Sequence, residues 1–261
     1  MRNTLAILIS VLFSSLLAGC ESQPKATELD RARDALVSRD YSSAETGAQT
    51  YLARDPDGPR AAEAYYIQGR ALEDAVAVNA QQARENLQAA RNAYINALKA
   101  VTIDRALEGL IRASLADVAY WQDDFATSAE QGQAAYAMLE EPNAKAWTLY
   151  RTGVSQQRLG RFEDADKTLR MVQEYHLGSE PAQRAVARIG VRGFNIQVAT
   201  FANAAAADTV VANLQKQGYA SSKRSTGNKT VIFAGPYKSW GQASNARARL
   251  LATYPDALIV P

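Results

Sequence analysis

The 261-residue chain has one cysteine and one histidine. A single thiol, Cys20, excludes a disulfide framework, a thiolate zinc site and a CxxC redox pair. A single imidazole, His176, excludes a histidine-rich metal cluster. There is no P-loop and no GxGxxG. An excess of charge of one sign is lacking too: 29 basic side chains stand against 27 acidic ones, which argues against a generic nucleic-acid binder. What the chain does have is 47% apolar residues, enough for folded cores, and a length suited to two domains.

The near-neutral balance conceals a division. Residues 191–261 carry eight basic and two acidic side chains, whereas residues 20–190 carry 20 basic and 25 acidic ones. Opposite signs in two stretches point to two modules with different partners.

Met1-Arg2-Asn3 is a short positive start, and Leu5 to Leu17 is a thirteen-residue apolar run. A bilayer span takes about 20 residues, so the run fits a secretory signal better than a membrane helix. It ends in Leu17-Ala18-Gly19-Cys20, which resembles the lipobox of bacterial lipoproteins. The resemblance implies a signal peptide over 1–19, a diacylglycerol-type (palmitate-bearing) modification of Cys20, cleavage before it and a further acyl chain on the new amine. Several chains, each adding about 0.8 kcal/mol per buried CH₂, make a stable anchor. Glu21 stands where that family's inner-membrane retention signal has an aspartate, so the resemblance implies the outer membrane, with the body facing the periplasm. Residues 20–27, polar and containing Pro24, then form a lipidated tether.

Residues 28–190 are alanine-rich, with apolar side chains at helical spacing, as in Leu107, Leu110, Ile111 and Leu115. Turn chemistry falls at Asp55-Pro56-Asp57-Gly58-Pro59, Glu141-Pro142-Asn143 and Leu177-Gly178. A small residue recurs at Ala32, Gly69, Ala116 and Gly153, at offsets of 37, 47 and 37. Matching positions downstream hold Tyr41 and Ala44, then Ala90, Tyr94 and Ala97, then Phe125 and Ala135, then Phe162, Ala165, Leu169 and Val172. This alternation of small and large residues resembles the tetratricopeptide repeat, with an insertion of about nine residues in the second unit. The resemblance implies four helix pairs, a capping helix over 181–189, and a curved surface for protein partners. Tyr65, Tyr94, Tyr120, Trp121, Trp147 and Tyr150 are expected to be core residues.

After Gly190 the hydrophobic period changes from 3.6 to 2. Phe194, Ile196 and Val198 alternate with Asn195, Gln197 and Ala199 in a half-buried strand. A helix capped by Asn203 and ended by Gly218 follows, then a strand over 219–224 and a turn at Ser225-Thr226-Gly227-Asn228. A third strand over 229–234 is broken by Gly235-Pro236, and a second helix from Ser239 to Thr253 leads to a last strand over 257–260. The order is βαββαβ, an α+β, ferredoxin-like arrangement over 193–261. Together with Gln197-Val198-Ala199-Thr200-Phe201 and Gly235-Pro236-Tyr237, it resembles the SPOR domain.

That resemblance implies binding to peptidoglycan glycan strands denuded of their stem peptides, as found at division septa, on the sheet face away from the helices. Gln197 suits the role because its amide both donates and accepts, and Thr200 occupies the family's hydroxyl position. The chain departs from the family where an aromatic and an arginine often precede the Gly-Pro. The arginine's place holds Val231, and Lys229 and Thr230 stand in place of the aromatic. Phe233 supplies a stacking surface on the same strand face. The expected glycan site is therefore Gln197, Thr200, Lys229, Val231 and Phe233, with no metal and no cofactor.

No catalytic constellation is present. His176 lies at a helix end, and Asp123-Asp124 and Glu163-Asp164-x-Asp166 fall at helix starts, where negative charge suits the macrodipole. The composite reading is a non-enzymatic envelope lipoprotein that binds septal glycan and recruits protein partners in cell division or envelope maintenance. The alternatives are an outer-membrane assembly or scaffold lipoprotein, or a regulator of a peptidoglycan hydrolase or synthase.

Overall fold

The computed structural model describes residues 27–202 and 204–261. The expected signal peptide, Cys20, the tether up to residue 26 and the Asn203 cap lie outside the described residues. Thr27, the last residue of the expected tether, is the N-cap of the first helix. Its hydroxyl accepts from the Asp30 N–H while the Asp30 carboxylate accepts from the Thr27 N–H, a reciprocal capping box.

Among the described residues, nine helices precede the sheet: α1 (Glu28–Val37), α2 (Tyr41–Arg54), α3 (Ala61–Asp74), α4 (Ala80–Ala97), α5 (Arg105–Trp121), α6 (Phe125–Tyr136), α7 (Pro142–Arg158), α8 (Phe162–Tyr175) and α9 (Glu180–Val186). Side-chain caps from Asp40, Asn79, Asp104, Asp124, Glu141 and Ser179 satisfy orphan N–H groups at six of the starts. Each helix packs on the next, and α1, α3, α5 and α7 also touch one another in series. The second helices of successive pairs do not, so the array curves with its first helices on the inner side.

The small residues spaced along the sequence sit on those first helices, and Ala32, Gly69, Ala116 and Gly153 are all buried. A Cβ on Gly69 would stand 2.4 Å from Tyr94 Cε1, and one on Gly153 2.8 Å from Leu169 Cγ. Glycine is what permits helices to approach this closely. Seven residues after three of these positions the chain turns in the same way. Arg39, Asp123 and Gly160 are left-handed, with φ of 63°, 59° and 81°. The next N–H reaches back in each case, Asp40 to the Ala35 carbonyl (2.8 Å), Asp124 to Ala119 (2.9 Å) and Arg161 to Gln156 (2.9 Å). The second pair departs from this pattern, because its inserted residues form a longer loop and extra turns at the start of α4.

The C-terminal part is β1 (Phe194–Phe201), α10 (Ala204–Lys216), β2 (Ser221–Thr226), β3 (Lys229–Tyr237), α11 (Trp240–Leu250) and β4 (Leu258–Val260). The sheet order is β2-β3-β1-β4, with every neighbouring pair antiparallel, as the ferredoxin-like βαββαβ order requires. Both helices cover one face, over a core of Ile196, Val198, Leu214, Ile232, Ala234 and Leu250. One expectation fails here. Gly235-Pro236 does not break β3, which continues to Tyr237 because the Gly235 N–H still finds the Ala220 carbonyl at 2.8 Å. The turn is also tighter than expected, and Ser225 and Thr226 belong to β2.

The two parts are packed together. Phe194 at the start of β1 lies 6.2 Å from Phe162 and 5.7 Å from Trp240, centroid to centroid, and Trp240 lies 6.4 Å from Phe125. Gly160 lets the Lys238 carbonyl come in, since a Cβ there would stand 2.7 Å from it. The connector is held by Asp166, whose carboxylate accepts from the Gly190 N–H (2.9 Å) and from Arg192 (2.7 Å). Burial pushes that carboxyl up, but these two bonds outweigh it and hold Asp166 below the usual carboxylate range. The cluster containing Asp166 therefore does more than favour a helix start.

Candidate functional site

The sheet face away from α10 and α11 is open. Residue placement on it follows from register, because directly paired residues share a face. Gln197 pairs with Phe233 and Thr200 with Val231, while across β3 Arg224 pairs with Val231 and Thr226 with Lys229. Gln197, Thr200, Lys229, Val231 and Phe233 therefore all stand on the open face.

This is not what strict alternation gives. Gln197 and Thr200 are three residues apart, and a regular strand would put them on opposite faces. A bulge between Gln197 and Ala199 shifts the register, so that Ala199 pairs with the buried Ile232 and Thr200 returns to the face of Gln197. Phe201, one residue on, packs against the helix-side core. The bulge is what puts a glutamine and a hydroxyl at this spacing on one face.

Sequence reasoning missed Arg224. It was read as the end of a strand, but the register sets it opposite Val231, in the position of a cross-strand neighbour. Its guanidinium carbon lies 5.3 Å from the centroid of the Phe233 ring. The family's arginine is thus absent from β3, while a guanidinium stands one strand away, over an aromatic ring. The signal that would have found it is the two-residue turn at Gly227-Asn228, which fixes the β2–β3 pairing.

The open face is polar and cationic at the β2–β3 side and more apolar toward β4. Ser222, Arg224, Thr226 and Lys229 are exposed, and Leu258 pairs with Gln197 on the other flank. β4 pairs with Asn195–Gln197, so among the described residues the later half of β1 has a free edge. Beside it runs a cleft of about 410 Å³ between Val198–Phe201 and the turn Thr253–Asp256. Among the described residues, Arg224 and Lys229 enter no ion pair, whereas the neighbouring Lys223 points to the helix side and pairs with Asp208.

The expected core aromatics divide. Tyr94 is fully buried, its hydroxyl donating to Glu73 at 2.6 Å, but Trp121 is 63% exposed and is not a core residue. His176 follows α8, its ring 3.4 Å from the Tyr136 hydroxyl. Among the described residues, no helix is long and apolar enough to cross a membrane.

A four-stranded antiparallel sheet with two helices on one face and an open polar face on the other defines the C-terminal part as a small binding module. Residues 190–261 match the SPOR domain family. The chain therefore carries a SPOR domain, a non-catalytic peptidoglycan-binding module typical of cell division, which assigns it to the periplasmic envelope. No curated protein matches the chain.

Proposed function

We propose that the protein is a non-enzymatic envelope lipoprotein which binds denuded septal glycan through residues 193–261 and recruits a protein partner on helices α1 to α9. The observation that carries the reading is the single open face on which Gln197, Thr200, Lys229, Val231 and Phe233 stand together within a stretch matched by the SPOR family. The small residues at the helix contacts and the three matching left-handed turns support reading residues 28–190 as tetratricopeptide-like repeats. Their inner face, lined by α1, α3, α5 and α7, is the surface assigned to the partner. Cys20 is the lipidation site, anchoring the chain in the outer membrane by way of residues 20–27.

Co-sedimentation of the purified protein with amidase-treated sacculi, against untreated sacculi, tests the glycan reading. Retention on the treated material alone is expected, and equal recovery in the supernatant of both would end it. For the anchor, Cys20→Ser should move the protein from the membrane fraction to the soluble one.

A further inference from the structure

We propose that Arg224, assisted by Lys229, recognises the carboxylate that stem-peptide removal leaves on the glycan, and so reads denudation directly. The inference rests on the glycan reading above and names the group on the ligand that the cationic side of the face selects.

In peptidoglycan the stem peptide is joined by an amide to the lactyl ether of the muramic sugar. Hydrolysis of that amide adds water across the C–N bond, releasing the peptide amine and leaving a carboxylate on the sugar. A denuded strand thus carries one negative charge on each muramic residue at the place where a peptide-bearing strand has a neutral amide and a bulky substituent.

Arg224 stands opposite Val231, and Lys229 is the diagonal neighbour on the same strand, a spacing of about 7 Å for paired strands. Neither enters an ion pair among the described residues, and both are exposed. Of the two acids in residues 191–261, Asp208 is paired with Lys223 on the helix side and Asp256 borders the cleft beyond β1. With neighbouring strands about 4.8 Å apart, β1 lies roughly 10 Å from β2. The cations are therefore concentrated on one side. Arg224 lies over Phe233, which limits its rotamers and leaves the edge of the guanidinium, where its paired N–H donors point, for a carboxylate. Gln197 and Thr200, on the neighbouring strand, are left for hydroxyls and acetamides.

The test uses the full chain and three probes: glycan strands from amidase-treated sacculi, the same strands with their carboxylates converted to amides by carbodiimide and ammonia, and peptide-bearing strands. Dissociation constants are measured at low and high salt. Wild type should bind the free-carboxylate strands about tenfold more tightly than the amidated ones, the loss expected for one charge-assisted hydrogen-bonded pair. The preference should shrink as salt is raised. Arg224→Gln should bind both at the amidated level, and Arg224→Lys should recover part of the preference. Arg224 is exposed, so these variants are expected to fold, which circular dichroism checks. Equal affinity of wild type for free and amidated strands overturns the proposal and leaves the glycan reading standing. Failure to bind any of the three strands overturns the glycan reading itself, and the proposal with it.

Discussion

The guanidinium carbon of Arg158 lies 4.1 Å from the centroid of the Trp240 ring, and the two residues belong to different parts of the chain. Tyr120 and Phe125 place their rings at 4.5 and 4.8 Å from the same carbon, so one cation from the end of α7 is enclosed by three aromatic rings. Burial lowers the Arg158 pKa, and Asp123 at 3.9 Å is its acidic partner. A cation this far withdrawn from water gains more from ring faces than an exposed one. The pair Arg158–Trp240 should therefore act as the clasp between the helical array and the SPOR domain. Trp240→Ala is expected to cost about 2 kcal/mol and to split thermal unfolding into two transitions. Calorimetry checks this. A double-mutant cycle with Arg158→Ala should return about 1 kcal/mol of coupling, and strict additivity would mean the contact is incidental.

The connector should respond to acid. Asp166 has a pKa held down by Arg192 and the Gly190 N–H against the opposing effect of burial. A carboxylate with a lowered folded pKa contributes stability that is present above its unfolded value, about 3.9, and is lost as pH falls through the folded value. The two parts should thus stay docked at neutral pH and loosen below about pH 4. Small-angle scattering across that range would show an increase in radius before the helices melt. Asp166→Asn should bring the loosening to neutral pH, at a cost of about 1 kcal/mol.

Glu73 should behave in the opposite sense. It is pushed up mainly by burial, in part by Asp117 and Asp74, while the Tyr94 hydroxyl and Arg70 pull it down. A raised carboxyl destabilises the folded state when charged. Its penalty is therefore present at neutral pH and is relieved as pH falls through the folded pKa toward the unfolded value near 4.3. Glu73→Gln keeps an acceptor for the Tyr94 hydroxyl and removes the charge. It should stabilise the protein by about 1 kcal/mol at pH 7, and the gain should vanish near pH 4. Denaturant titrations at both pH values decide it.

How much of this was legible in the sequence depends on what each residue needs to know. Gly69, Ala116 and Gly153 need only their own helix and the one after it, and their spacing was readable. The order βαββαβ was readable for the same reason, since each strand and helix announces its own period. Thr200 was assigned to its face by resemblance, because strict alternation along β1 would have turned it toward the helices. Only pairing with β3 reveals the bulge. Arg224 and Trp240 were missed because their roles depend on partners in another strand or another domain. Trp121 was misjudged because the period puts it beside the apolar face of α5, while its place at the end of that helix leaves it in water.

Helix spacing gives a sharper stability prediction. Tyr94 is fully buried and tied by its hydroxyl to Glu73, so its ring has nowhere to go if Gly69 gains a methyl group 2.4 Å from Cε1. Gly69→Ala should destabilise by about 3 kcal/mol through overpacking. Gly241→Ala is the control. It meets nothing within 4 Å and lies in α11, where alanine is favoured over glycine. That substitution should stabilise by about 0.5 kcal/mol. A loss at both sites would point to backbone effects common to any helical glycine rather than to the α3–α4 contact.

The last expectation concerns how the open face is built. Phe233 pairs with Gln197 on one side and with Ser222 on the other, and Arg224 lies over its ring. If the ring serves both as a stacking surface and as the support of Arg224, the two residues are energetically coupled. Phe233→Ala should then weaken binding to denuded strands by more than the lost stacking, because the guanidinium regains rotamers that binding must freeze again, at about 0.5–1.5 kcal/mol. Arg224→Gln should consequently cost less in the Phe233→Ala background than in wild type. Gln197→Ala, which removes an amide on the far side of the ring, should cost several-fold in affinity in either background, about 0.5–1.5 kcal/mol for a hydrogen bond. The measurement is a set of binding curves for the single and double variants on amidase-treated strands. Coupling of Phe233 to Arg224 but not to Gln197 would identify the ring as the platform on which the guanidinium is aimed. Full additivity for both pairs would mean that Phe233 contributes only its own surface, and that the face is a mosaic of independent contacts.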